Sequence, residues 1–200
     1  MNAGDLSADV SRIEKAVAAG ACSADSPYLI MLSGLPGTGK STLCRKLREH
    51  LPVVVVESDA VRMTLFARPT FSVEESERVF DVVHLAIAGL LKKGLPVVMD
   101  ATNLMERHRA TVYGIAEACG LPLIIVRVEA APAVVKERLE QRAASNSAPY
   151  AADWEVYRRM RFRRERISRG HIGVNTSKGL DQALEAIVAA VESVLRKQEA

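Results

Sequence analysis

Nine consecutive residues, Gly34-Leu35-Pro36-Gly37-Thr38-Gly39-Lys40-Ser41-Thr42, combine three glycines with a lysine and three hydroxyls. The spacing is G-x-x-x-x-G-K-S. Glycines at these positions let backbone N–H groups converge on phosphate oxygens with no Cβ in the way. Lys40 carries the charge to reach a β- and γ-phosphate, and the Ser41 hydroxyl suits a Mg²⁺ ion. The apolar run 28–32 before the loop reads as a strand, and 41–50 after it as a helix, which is the context this motif requires. The helix N-terminus adds its own partial positive charge toward an anion. The chemistry is that of a nucleoside triphosphate such as ATP.

Three further sets of residues extend that chemistry. Glu57-Ser58-Asp59-Ala60-Val61-Arg62 closes a second apolar run. Asp59 is placed to accept a proton from an attacking hydroxyl, and Arg62 to hold a substrate anion; alternatively Asp59 caps a helix and Arg62 is a solvated first-turn residue. Val97-Val98-Met99-Asp100 ends an apolar strand in an acid, the shape of a site that organises Mg²⁺ or its water shell. Thr102 or Asn103 is then expected to cap the next helix, whose Arg107 and Arg109 are either substrate contacts or solvated. Arg138 and Arg142 lie four apart on one helix face, before the small, polar 143–150 and Trp154. Helix, loop, helix reads as a lid over about 138–155, closing on the triphosphate and supplying arginine charge. The rival reading is two solvated arginines.

Elements that could position these groups alternate from residue 28 onward. Strands are expected at 28–32, 53–57, 96–100, 123–128 and 171–175. Helices are expected at 41–50, 73–93, 106–120, 133–142, 153–169 and 180–197. The strand cores Val53–Val56 and Leu123–Val126 are apolar without alternation, as in parallel strands covered on both faces. Ser72 with Glu75 forms a capping box, and Gly94 and Gly120 stand where helix C-caps belong. The pattern implies α/β architecture, a five-stranded parallel sheet with helices on both faces. Residues 1–26 read as a helical appendage and 27–200 as one domain.

Composition narrows the setting. Two hundred residues with a net charge of +3 suit one domain that does not coat nucleic acid along its whole length. Seven arginines against three acids between Asp153 and Gly170 make the expected basic helix, 158–169, either a nucleic-acid contact or a solvated face. Cys22, Cys44 and Cys119 form no C-x-x-C pair, which argues against a disulfide framework or zinc site and fits a cytoplasmic protein. No secretory signal is visible and no run is long enough to cross a membrane. Oligomeric state is not legible.

Taken together, the loop 34–42, Asp59-x-x-Arg62, Asp100-Ala-Thr-Asn103 with Arg107, and Arg138-x-x-x-Arg142 resemble P-loop kinases of the 5′-polynucleotide kinase and zeta-toxin type, within the nucleoside-monophosphate-kinase-like P-loop NTPase group. The resemblance covers about residues 28–195 and implies a three-layer P-loop NTPase fold with a helical lid. It implies Lys40 and Ser41 on ATP phosphates and Mg²⁺, Asp59 as general base, Arg62 at the acceptor, Arg142 with Arg138 on the ATP phosphates, and residues 175–177 near adenine. The implied activity is γ-phosphate transfer to a hydroxyl of a small molecule, nucleotide or nucleic-acid 5′ end. The alternatives are an NTPase switch without a small acceptor, and a toxin-like sugar-nucleotide kinase. No appended phosphatase domain identifies the acceptor.

Overall fold

The computed structural model describes residues 3–21, 23–145 and 152–198. Five parallel strands, β1 (Leu29–Ser33), β2 (Val54–Glu57), β3 (Val97–Asp100), β4 (Leu123–Glu129) and β5 (Ile172–Asn175), form one sheet in the order β2-β3-β1-β4-β5. All five expected strands are present, with ends shifted by one residue. Strand order reverses at β1, so the crevice at its C-terminal end is where this class of sheet receives ligands.

Because side chains alternate along a strand, β1 builds two cores. Leu29 and Met31 face one side, packed with α4 (Val73–Lys92) and α5 (Glu106–Cys119). Ile30 and Leu32 face the other, packed with α2 (Lys40–His50) and α8 (Asp181–Gln198). The N-terminal helix α1 (Ala3–Val17) lies on the α4 side. It buries Ile13 in that core and pairs Asp9 with Arg78 and Glu14 with Lys93. The segment read as an appendage is thus packed into the main body. Gly94 and Gly120 take positive φ at the ends of α4 and α5, as their positions suggested.

A third, smaller cluster joins Leu35 of the glycine loop and Leu104 to Val135 and Leu139 of α6 (Pro132–Ala144) and Tyr157 of α7 (Trp154–Arg161). These are the described parts of the segment read from the sequence as a lid; 146–151 lie outside the described residues.

Three local expectations fail. A short helix α3 (Ser58–Leu65) follows β2 directly. Neither Thr102 nor Asn103 caps α5: Met105 is its N-cap, and the Glu165 carboxylate accepts from the Glu106 N–H instead. The helix expected over 153–169 stops at Arg161, so no continuous basic helix 158–169 exists. The cause is Arg109, neither solvated nor at the surface but 0 % exposed. Its guanidinium donates to the carbonyls of Asn103, Leu104 and Arg166 at 2.8–3.0 Å. A buried guanidinium needs acceptors, and the backbone at 165–166 supplies one only by leaving the helix. Of the arginines beyond the helix, Arg164 pairs with Glu129, and Arg169 pairs with Glu117 while lying over Tyr113.

Candidate active site

The loop 34–39 leaves β1 under backbone control. Gly34 N–H donates to Thr102 O at 3.0 Å, and a Cβ there would stand 2.4 Å from Val128 O, so only glycine fits. Gly37 and Gly39 take φ of 76° and 92°. The Thr38 hydroxyl donates to Leu35 O at 2.8 Å and Lys40 Nζ to the same oxygen at 3.1 Å, closing the loop on itself. Gly39 then caps α2 without a side chain, leaving the first N–H groups of that helix directed at the crevice.

Three oxygen-bearing side chains meet at the start of α2. Ser41 Oγ donates to Asp100 Oδ2 at 2.7 Å and lies 3.3 Å from Glu57 Oε1. The strand register sets Glu57 opposite Asp100. Burial pushes the Glu57 carboxyl up, and the Asp100 and Asp59 charges push it further. Two carboxylates sharing one hydroxyl hydrogen form a concentration of hard oxygen donors, as Mg²⁺ prefers. Among the described residues no group of three or more His, Cys, Asp or Glu converges for a metal. A cation here would therefore keep water or phosphate oxygens, again the habit of Mg²⁺.

Lys40 is half-buried, and desolvation lowers its pKa. The Asp100 and Asp59 charges oppose that shift, while Arg142 adds to it. Lys40, Asp59, Asp100 and Arg142, drawn from the loop, α3, β3 and α6, thus share one electrostatic field. Asp59 is exposed on the first turn of α3, and Arg142 is exposed on the last turns of α6. Thr42 is exposed on α2, and Leu35 and Pro36 lie in the loop itself.

Two sequence-assigned arginines are held by protein groups. Arg138 Nη1 donates to Thr176 Oγ1 at 2.8 Å and reaches Gly37 O at 3.5 Å; its Nη2 donates to Thr176 O at 3.2 Å. Thr176 Oγ1 in turn donates to Thr38 O at 2.8 Å. Arg62 is buried and bonded to Glu75 and Ser76. Sequence reasoning gave Glu57 no role, Glu75 only a place in the capping box, and Thr176 only a place in the segment 175–177. Glu57 had a readable signal, an acid ending a parallel strand two residues before Asp59. The bonds of Thr176 to Thr38 and Arg138 had none.

The model of the AAA domain family matches residues 29–167, and the chain belongs to that family. An adenylyl-sulfate kinase of Myxococcus xanthus is 38% identical over 108 residues, 52% of this chain and 58% of that protein. The chain thus spans little more than half the length of the curated relatives it matches. Among solved structures, a putative kinase from Chloroflexus aurantiacus superposes with a TM-score of 0.69 at 20% identity, over 85% of this chain and 99% of that one. The APS kinase of Mycobacterium tuberculosis in complex with AMPPNP and APS gives 0.63 at 18% identity, over 84% and 99%. These structures share the three-layer P-loop fold.

Proposed function

We propose that the chain is an ATP- and Mg²⁺-dependent phosphotransferase acting on a hydroxyl of a small molecule. The observation that carries this reading is the Ser41 hydroxyl set between Asp100 and Glu57 at the mouth of a phosphate-shaped loop, with Asp59 two residues after Glu57 on the first turn of α3. The family membership and the kinase relatives support it. In this reading the loop amides, Lys40 and Arg142 hold the triphosphate, and Arg138 backs them. Ser41, Asp100 and Glu57 would hold Mg²⁺ or its waters, and the ion would supply positive charge against the phosphates. Asp59 takes the proton as the acceptor oxygen bonds to the γ-phosphorus, while the bond to the β–γ bridging oxygen breaks and ADP leaves.

For the acceptor, the relatives favour a small molecule over a nucleic-acid end. The broken basic helix weakens the polynucleotide reading further. The test is transfer of labelled γ-phosphate with Mg²⁺ to adenylyl sulfate, nucleosides, sugars, sugar acids, sugar nucleotides and 5′-hydroxyl oligonucleotides, with free phosphate counted in parallel. Label moving to a small acceptor is the expected result. Label released only as phosphate, at a rate no acceptor changes, points to an NTPase switch instead.

A further inference from the structure

Arg62 stands one helical turn after Asp59, where a kinase would meet its acceptor, and would ordinarily offer a cation to an acceptor's anionic group. In this chain its charge is already met. Nη1 is bonded to Glu75 Oε1, Nη2 donates to Ser76 Oγ at 3.3 Å, and the Phe71 ring covers one face at 4.6 Å. The Arg62 side chain is 8 % exposed and that of Glu75 6 %. Nε is buried with no partner among the described residues.

Glu75 is fixed as firmly as its partner. Its carboxylate also accepts from Thr70 N–H at 2.6 Å, Thr70 Oγ1 at 2.8 Å and Phe71 N–H at 3.2 Å. Its own N–H donates to Ser72 Oγ, so the capping box is half formed and its acid has been diverted to Arg62. Phe71 adopts φ 57°, unusual for a bulky residue, and this delivers both its N–H and its ring to the pair. The loop 70–76 is therefore organised around a buried ion pair, and removing either partner from such a pair leaves an uncompensated charge. Around Asp59 the charges are mixed: Glu57 and Asp100 are acids, and Lys40 feels the charges of Asp59 and Asp100, so the cation of this group that is already paired is Arg62.

Resting on the phosphotransferase reading, we propose that Glu75 sets the charge class of the acceptor: the subsite beside Asp59 takes the hydroxyl of an uncharged compound and rejects one bearing phosphate, sulfate or carboxylate next to that hydroxyl. An anion there would meet a guanidinium whose charge Glu75 already neutralises and would face that carboxylate across it, and unfavourable charge juxtaposition is a standard source of selectivity. The chain would thus differ in acceptor from its adenylyl-sulfate kinase relatives while sharing their fold.

The experiment compares kcat/KM for matched pairs at constant ionic strength: glucitol with gluconate, a nucleoside with its monophosphate, and adenosine with adenylyl sulfate. The uncharged member of a used pair is expected to be at least about tenfold better. Glu75→Gln keeps an oxygen for Thr70 and Phe71 and removes the charge. It should shrink the ratio by about tenfold through the KM of the anionic member, with ATP affinity unmoved. If that variant does not fold, the wild-type ratio decides. Equal or better use of the anionic member by the wild type overturns the proposal and leaves the kinase reading standing. No transfer to any pair, with ATP shown to bind, overturns both.

Discussion

At the scale of single residues, the site is a division of labour among oxygens that differ in surroundings. Asp100 and Glu57 are drawn onto Ser41, whereas Asp59 stays exposed and available to a hydroxyl. A base that acts only on the acceptor predicts a split effect. Asp59→Asn should leave ATP affinity near wild type, measured by calorimetry, and lower turnover by about 10²–10⁴; unchanged turnover removes Asp59 from the reaction. In the proposed reading Glu57 bears on the cation instead. Glu57→Gln should raise the Mg²⁺ needed for half-maximal rate by about tenfold, and a magnesium titration that does not move would take Glu57 out of that role. The placement of Lys40, Ser41 and Asp100 at one end of the sheet was legible because the loop motif encodes a backbone shape and the strand before Asp100 is wholly apolar. Arg109 was not, since arginine is rarely buried and nothing local marks the carbonyls it serves. Arg62 was legible as a position but not as a partnership, because Glu75 lies thirteen residues further on.

At the scale of elements, the parallel strands and covering helices followed from apolar runs and glycine punctuation, while the lid did not follow from periodicity. Arginine-rich residues 158–169 scan as helix, yet the carbonyl of Arg166 is needed by Arg109 on α5, and tertiary demand overrides propensity. The same non-local logic governs the glycine loop. Its carbonyl at Thr38 is tethered by Thr176, at the 3₁₀ turn after β5, and Thr176 also receives Arg138 from α6. One hydroxyl thus joins the phosphate loop, the last strand and the lid helix. Thr176→Val keeps the shape and removes the hydroxyl's bonds, leaving Arg138 Nη1 and Thr38 O without this partner. The expected outcome is a rise in KM for ATP of about tenfold, with kcat less affected, from the loss of roughly 1–2 kcal/mol of positioning. Thr176→Ser should restore most of it. A KM as poor in the serine variant as in the valine variant would mean that packing by the methyl group, rather than the tether, holds the loop.

For the whole molecule, the fold sets catalytic groups along one sheet edge and leaves stability to two apolar faces, so the two can be perturbed separately. The α4–α5 face carries an ionisable group remote from the loop. His84 lies against Phe80 at 5.7 Å between ring centroids, with His108 stacked on the same ring at 5.2 Å. Its Nε2 is buried without a partner among the described residues. Burial, helped by the positive field of His108 and opposed by Asp81, lowers its pKa from 6.5 to about 4. The unfolded chain therefore binds a proton near pH 6.5 that the folded chain refuses until about pH 4. Stability conferred by a neutral His84 is complete above pH 6.5 and is lost as pH falls toward 4, by at most about 3 kcal/mol. Glu75 acts in a lower window: burial raises its carboxyl, but bonds from Thr70, Arg62 and Phe71 outweigh that and hold it at about 2, so its contribution fades only between pH 4.5 and 2. The two windows barely overlap. Urea unfolding of wild type and His84→Leu between pH 4 and 8 should give curves that run parallel above pH 6.5 and converge or cross below it, as only the wild type loses stability to protonation of this side chain. An identical slope in both proteins from pH 6.5 to 4 would show that the acid sensitivity of the fold lies elsewhere.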